Sequence, residues 1–419
     1  MMRLILPLVA LMLASPLAAK KPEEVAAAAL KAAPIWDGHN DVGEQLRERR
    51  RDVIAGFDFN DTTHEPEGKG GTSAMQTDLP RLAKGHIGAE FWSVYVSADQ
   101  PEPQAAVATV EQIDVMKRLI ARYPDRLQLA LTSADVERAI KAGKIASLLG
   151  MEGGHSIDGS LGVLRQMYAL GARYMTLAHF KNNAWADSAT DDPKHDGLTD
   201  FGKDVVREMQ RLGMLVDLAH VSEATMNDAL DVAKAPLIFS HSGARAVDGA
   251  SRNVPDAVLE RVKANGGIVM AVAYPSYVNE ALRDWEADDA AEQAREKVLF
   301  AGQPEKAKAA VTAWEAAHPA PKATVQQVAD HIDHLRAVAG IDHIGLGGDF
   351  DGMATGPVGM EDVSGYPALF VELARRGYSQ QDLEKISSRN MMRVLKAAEA
   401  YSAAHSNDPP IEYPVAEIG

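Results

Sequence analysis

"GMLVDLAHVSEATMNDALDVAKAPLIFSHS", residues 213–242, decides the fold. It holds an apolar run (213–220), a helical pattern (222–233) and a second apolar run (236–242). Ser222 stands where a helix N-cap belongs, because its hydroxyl can accept from a first-turn N–H. Near-continuous apolar runs mark strands buried on both faces, and helices alternating with such strands argue for a parallel sheet. The two runs also carry an imidazole at or near their ends, His220 and His241. A polar group at a buried strand end costs free energy unless it is paired.

Working outward, the same grammar repeats. Further apolar runs are "PIWDGHND" (34–41), "AEFWSVYV" (89–96), "KIASLLGME" (144–152), "RYMTLAHF" (173–180), "GIVMAVAY" (267–274) and "DHIGLGGD" (342–349), eight in all. Helical patterns follow at 103–123, at 198–213 with Thr199 as N-cap, and at 254–267, where a Gly pair is a stop signal. Residues 20–33 read as a short lead-in helix. Eight strand–helix units predict closure into an α/β fold, a (β/α)8 TIM barrel, with residues 20–419 as one domain. Two segments exceed the pattern. Residues 50–80 are polar and Gly-rich and read as a loop after the first strand. Residues 275–322 form a charged, Ala-rich helical insertion after the seventh. Three readings fit it: a lid, an oligomer contact or a solvated hairpin.

Active-site groups of such barrels come from the C-terminal ends of several strands. Reading the ends of the runs collects His39, Asp41, Glu152, His179, His220, His241, Tyr274 and Asp349. His39 and Asp41 are two apart, so on a strand both point to one face. The set is imidazole and carboxylate without thiolate, which suits Zn²⁺, with Mn²⁺ or Co²⁺ as alternatives. Three His and two acids exceed one catalytic zinc. They suit two ions about 3.5–4 Å apart that share a bridging carboxylate and clamp a nucleophilic water.

The segments "DGHND", "MEGGHSI", "YMTLAHF", "VDLAHVS", "FSHSGAR", "RNVPD" and "GLGGDFDG" occur in that order. Together they resemble the membrane dipeptidase (renal dipeptidase) family, peptidase family M19, over roughly residues 35–400. The resemblance implies a barrel of the metal-dependent amidohydrolase type holding two zinc ions. His39 and Asp41 would bind the first zinc, Glu152 would bridge, and His220 and His241 would bind the second. His179 would contact the substrate and the developing oxyanion, and Arg252 would pair with the substrate's C-terminal carboxylate. Asp349 would shuttle the proton, and Tyr274 would be a further carboxylate contact. The implied activity is hydrolysis of free dipeptides, with a D-residue tolerated at the C-terminal position. Another binuclear hydrolase on the same barrel remains the alternative: a lactonase, a deaminase, a phosphotriesterase, or a β-lactam or dehydropeptide hydrolase. A binding protein that kept the fold would lack ligands, and none is missing. Members of the family often form homodimers.

Bulk properties narrow the partners. The chain has 419 residues, 46% hydrophobic and 24% charged, an ordinary globular composition. A net charge of −16 argues against nucleic acid, which calls for a basic patch. There is no Cys, hence no disulfide and no lipid-modified cysteine. Residues 1–19, "MMRLILPLVALMLASPLAA", read as a signal peptide cut near Ala18 or Ala19, an uncleaved anchor being the alternative. Periplasmic export without a stable membrane anchor is the expectation. His155, His331, His334 and His343 read as structural or surface groups, and His64, His86, His195 and His405 as solvated ones. Trp92 and Trp185 read as core, and Asp351 as a support for the site.

Overall fold

Among the residues the structure describes (20–66, 68 and 74–413 of a computed structural model), nine strands all pair in parallel. They are β1 (Ile35–Asn40), β2 (Ile87–Tyr95), β3 (Leu127–Leu129), β4 (Ile145–Glu152), β5 (Ala172–Thr176), β6 (Leu215–Asp217), β7 (Ile238–Ser242), β8 (Ile268–Ala271) and β9 (Ile344–Leu346). Eight of them close a ring in the order β1–β2–β4–β5–β6–β7–β8–β9, sealed where Asp37 of β1 pairs with Leu346 of β9. This is the expected barrel.

The runs are continuous because both faces of each strand are covered. Trp36, Phe91, Leu148, Tyr174, Leu215, Ile238 and Ile268 form one buried cluster that runs on into the helix Asn390–Ala404. Their strand neighbours Trp92, Leu149, Met175, Val216, Phe239 and Val269 belong to a second cluster shared with the flanking helices. Period-2 alternation thus divides each strand between the barrel interior and the helical layer. Trp92 and Trp185 are core residues, as expected.

Local signals set the helices. Thr199 accepts from the Gly202 N–H at the start of Asp200–Leu212, and Ser222 from the Thr225 N–H at the start of Glu223–Val232. Each such cap contributes about 1 kcal/mol. Gly266, at φ 80°, ends Asp256–Asn265 in the left-handed turn the Gly pair predicted.

Three points differ from the sequence reading. First, β3 and the helix Ser133–Lys141 stand between the second and third runs. β3 is three residues long, pairs only with β4, and has two half-buried positions, so it leaves no continuous apolar trace. Second, several strands stop earlier than their runs. His179, His220, Tyr274 and Asp349 each lie three residues past the last strand residue (Thr176, Asp217, Ala271, Leu346). They are loop residues, because the backbone must leave the ladder to aim them inward. His220 and Asp349 have φ of 67° and 64°, which no strand accommodates. Third, a helix, Val42–Arg50, precedes the 50–80 segment, and another, Leu79–Lys84, closes it. Between them Phe57 and Phe59 are buried, so the segment is packed where it is described.

The insertion comprises the helices Pro275–Val278, Glu280–Leu299 and Pro304–Ala317. The last buries no residue, and the second buries only Leu282 and Glu296. Trp285 and Trp314 hold the pair together, rings 5.9 Å apart, and the Trp285 Nε1–H donates to the His318 carbonyl (2.6 Å). The expected leader, 1–19, lies outside the described residues. No helix among those described is long and apolar enough to cross a membrane.

Candidate metal centre and substrate pocket

Glu152 ends β4 and stands at the focus of the loops. Its Oε2 lies 3.3 Å from His39 Nε2. Its Oε1 lies 3.0 Å from His220 Nε2, 3.4 Å from His179 Nε2 and 3.5 Å from His241 Nε2. Asp41 Oδ2 is 3.3 Å from the same His39 nitrogen. Donors about 3.3 Å apart are what tetrahedral ligation at zinc–donor distances of about 2.0–2.1 Å requires. One carboxylate oxygen therefore faces the His39–Asp41 pair, and the other faces the remaining imidazoles.

Three sets of buried side chains bring donor atoms within 4.8 Å of one another: His39–Asp41–Glu152, Glu152–His220–His241 and His39–His241–Asp349. The first two share Glu152 and contain the five residues collected from the sequence. His179 belongs to none of the three. His39 Nε2 and Asp41 Oδ1 are buried without a hydrogen-bond partner, as expected of atoms shaped for a cation. The donor set fits two divalent ions.

Electrostatics in the bare site follow the same lines. Burial works against charge on Glu152, but the facing His39 and His179 hold its carboxyl well below the usual range. Burial also works against a charged His39, yet Glu152, Tyr174 and Asp41 outweigh it and raise its pKa. Burial, with Arg252 and His179 beside it, holds His220 well below the ordinary imidazole value.

Residues the sequence reading passed over fix the ligands. Asp217, at the end of β6, accepts from the Ser240 hydroxyl (2.6 Å), and the Ser240 oxygen lies 2.9 Å from His241 Nδ1. With its own proton committed to Asp217, Ser240 must accept from His241. That places the His241 proton on Nδ1 and leaves Nε2 bare toward Glu152. Tyr174 Oη lies 2.7 Å from His39 Nδ1. Tyr174 reaches it because position 150 is glycine: a methyl there would fall inside the Tyr174 ring. Ser93 donates to Glu152 Oε2 (3.1 Å). One signal was available: Asp217 is a charge in the middle of an apolar run. Tyr174 gave none, since it reads as an ordinary strand residue.

Such outer contacts typically govern metal affinity by about 10–100-fold. Tyr174→Phe is accordingly expected to weaken cation binding by about that factor, read by competition with a chromogenic chelator. An unchanged affinity would remove Tyr174 from the site.

The centre opens into a cavity of about 150 Å³. Arg252, Tyr274, Tyr277 and Asp349 line it together with Glu44, Tyr95 and Gly352. Arg252 is 2% exposed, its Nη2 is 2.7 Å from His220 Nε2, and its Cζ lies 5.1 Å from the Tyr277 ring centre. Its Nε and Nη1 have no partner. Asp351 belongs to none of the three ligand sets. It accepts from the Gln76 N–H and its own N–H donates to Gln76 Oε1, both 2.7 Å, tying residues 74–78 to the loop after β9.

Four other histidines are structural. His331 Nδ1 accepts from the Ala244 N–H, His155 Nε2 sits 3.1 Å from the Val96 carbonyl, His334 pairs with Asp256, and His343 meets the Gly267 carbonyl. His64 and His86 are exposed. His195 and His405 correct the expectation of solvation. Both are half-buried, bonded to the Asn183 and Tyr401 carbonyls.

The chain is similar to known dipeptidases. A family profile described as membrane dipeptidase (peptidase family M19) matches residues 23–409. The dipeptidase tcpJ of Claviceps purpurea is 41% identical over 385 residues, 90% of this chain and 79% of that protein. Among solved structures, the probable dipeptidase PvdM from Pseudomonas aeruginosa superposes with TM-score 0.76 at 22% identity, covering 91% of this chain and 99% of that one. A metallo peptidase from Rhodobacter sphaeroides, liganded with a phosphinate mimic of dipeptide L-Ala-D-Ala, gives TM-score 0.69 at 23% identity, over 87% of this chain and 99% of the other.

Proposed function

The chain belongs to the membrane dipeptidase family, peptidase family M19, and on that premise we propose that it hydrolyses free dipeptides at a site holding two divalent cations. His39 and Asp41 would hold one ion, His220 and His241 the other, and Glu152 both. Nitrogen and oxygen donors without sulfur favour zinc, with manganese or cobalt able to substitute. When bound, the ions supply the Lewis acidity that lets water ionise near neutral pH and polarises the peptide carbonyl.

The chain's own groups do the rest. Arg252 binds the substrate's terminal carboxylate through a charge-assisted pair. His179, facing the cavity outside the ligand sets, donates to the carbonyl oxygen as negative charge gathers there. Asp349 takes the proton from the attacking water and delivers it to the leaving amine, so the broken C–N bond leaves a free amino acid. Tyr274 and Tyr277, stacked with ring centres 4.4 Å apart, wall off the carboxylate end from water.

The observation that carries this reading is Arg252. A guanidinium that is 2% exposed with two unpartnered nitrogens needs an anion, and it faces the cavity that holds the metal ligands. The small cavity suits a short substrate. Tolerance of a D-residue at the C-terminal position is part of the proposal, and the L-Ala-D-Ala mimic bound by the Rhodobacter enzyme is the reason to test it.

The test is a panel of L,L and L,D dipeptides with their C-terminal amides, run with and without chelator. Free dipeptides should be cleaved, and chelation should abolish cleavage until zinc is restored. Arg252→Ala should lower kcat/KM on free dipeptides by about 2–4 kcal/mol, roughly 30- to 1,000-fold, and leave the amides nearly unchanged. Equal losses on both would remove the carboxylate role. Faster turnover of lactones or phosphotriesters than of any dipeptide would replace the activity itself.

A further inference from the structure

We propose that Glu44 selects substrates with a free N-terminal ammonium group, as the counterpart of Arg252 at the opposite side of the cation-binding centre. This rests on the dipeptidase reading and adds to it a second charge that measures substrate length.

Glu44 lies in the first turn of the helix Val42–Arg50, three residues after Asp41. It faces the same 150 Å³ cavity as Arg252. The two act on different groups of the centre: Arg252 touches His220, whereas the charge acting most strongly on Glu44 is Asp41. Among the described residues the Glu44 carboxylate makes no hydrogen bond and no ion pair. None of the three ligand sets includes it, so it is not needed to hold an ion. The charges that act on it most strongly are acids, Asp41 and Glu152 first and then Glu48 and Asp349, while Arg47 and Arg51 stand with it on the wall of a neighbouring cavity.

A free dipeptide supplies such a cation in the right place. With its carboxylate on Arg252 and its carbonyl at the ion pair, the α-ammonium falls beyond the carbonyl, on the His39–Asp41 side. The N-terminal side chain branches from the same carbon as that ammonium and needs space there. Space exists: Glu44 and Tyr95 also border a second cavity of about 630 Å³, with Ser97 and Gln100 on its wall. A peptide with one more residue at its N-terminus would present an amide to Glu44 instead of an ammonium, so Glu44 and Arg252 together would favour dipeptides over tripeptides.

The experiment compares wild type with Glu44→Gln. The probes are one good dipeptide as substrate, and its N-acetyl and des-amino forms as competitive inhibitors. Loss of one charge-assisted contact should raise KM for the free dipeptide about 10–100-fold, with kcat within about 3-fold. The inhibition constants of the two uncharged forms should stay the same or tighten. Glu44→Asp should fall between, and bound metal and melting temperature should match wild type. Unchanged KM overturns the proposal, as do equal losses on charged and uncharged ligands. Loss of metal overturns it too, since Glu44 would then be a ligand. A wild type that cleaves no dipeptide sinks the parent reading and this one together. A wild type that cleaves them while Glu44→Gln behaves identically sinks this one alone.

Discussion

Asp349→Asn should lower turnover of a free dipeptide about 10²- to 10⁴-fold, the usual worth of a general acid–base group, while bound metal stays at the wild-type level. The substitution leaves the local backbone its anchors. The Asp349 N–H donates to the His39 carbonyl (3.2 Å), and the Gly352 N–H donates to the Asp349 carbonyl (3.2 Å). These hold φ at 64°, a conformation that Asn adopts as readily as Asp. What changes is the ability to exchange a proton. Burial, with Asp41 and Glu152 adding to it and His39 opposing, pushes the Asp349 carboxyl to about 8 in the bare site. Cations on the neighbouring ligands would bring it down toward neutrality, where a shuttle is most effective. The competing role is equally concrete, because His39, His241 and Asp349 form one of the three ligand sets. If Asp349 were a ligand, the Asn variant would lose metal along with activity. Elemental analysis of both proteins after dialysis against trace zinc separates the two.

How much of this was legible in the sequence depends on which force set each element. The barrel was, because strands buried on both faces leave runs that no loop imitates, and all eight strands begin within two residues of their runs. The five metal-binding candidates were, because each is a polar group at or just past the end of such a run. The lengths of β6 and β9 were not. In "LVDLAH" and "GLGGD" the apolar letters continue past the ladder, and the turn is made by left-handed backbone at His220 and Asp349, a choice imposed by the site against local preference. β3 was missed because an edge strand of three residues buries too little to leave a pattern. The groups that orient the ligands were missed for another reason. Tyr174 supports His39 only because Gly150, on the adjacent strand, has no side chain, and Ser240 bridges Asp217 to His241 across β6 and β7. Those relations are between strands, and one chain read along its length does not display them. Glu44 shows the same limit: it reads as the first turn of a charged helix until the fold sets it against four other acids.

Glu152→Gln tests the centre itself, and its expected effect is the largest. Four imidazoles face one carboxylate that is 5% exposed, and both ligand sets proposed for the two ions need it. The amide keeps the shape and removes the charge. It also puts an N–H₂, a donor with no lone pair to offer a cation, where one of the two oxygens would face an ion, so one side of the bridge can no longer ligate. Of the three sets, only His39–His241–Asp349 survives. Bound metal should therefore fall from two ions per chain to at most one, and turnover by more than about 10⁴-fold, since losing the second ion removes half of the clamp on attacking and leaving groups. Stability provides a readout independent of activity. An ion that binds only the folded chain adds about 4 kcal/mol at a thousand times its dissociation constant. The wild-type melting temperature should accordingly rise steeply with added zinc, and that of the variant should respond weakly. Without metal the order should narrow or reverse, because in the bare wild type the buried Glu152 charge must be compensated by the facing imidazoles, His39 and His179 foremost, whereas the amide asks for no compensation. A variant that retains two ions and climbs with zinc as the wild type does would show that the bridge lies elsewhere, and the assignment of His39, Asp41, His220 and His241 to a shared centre would fall with it.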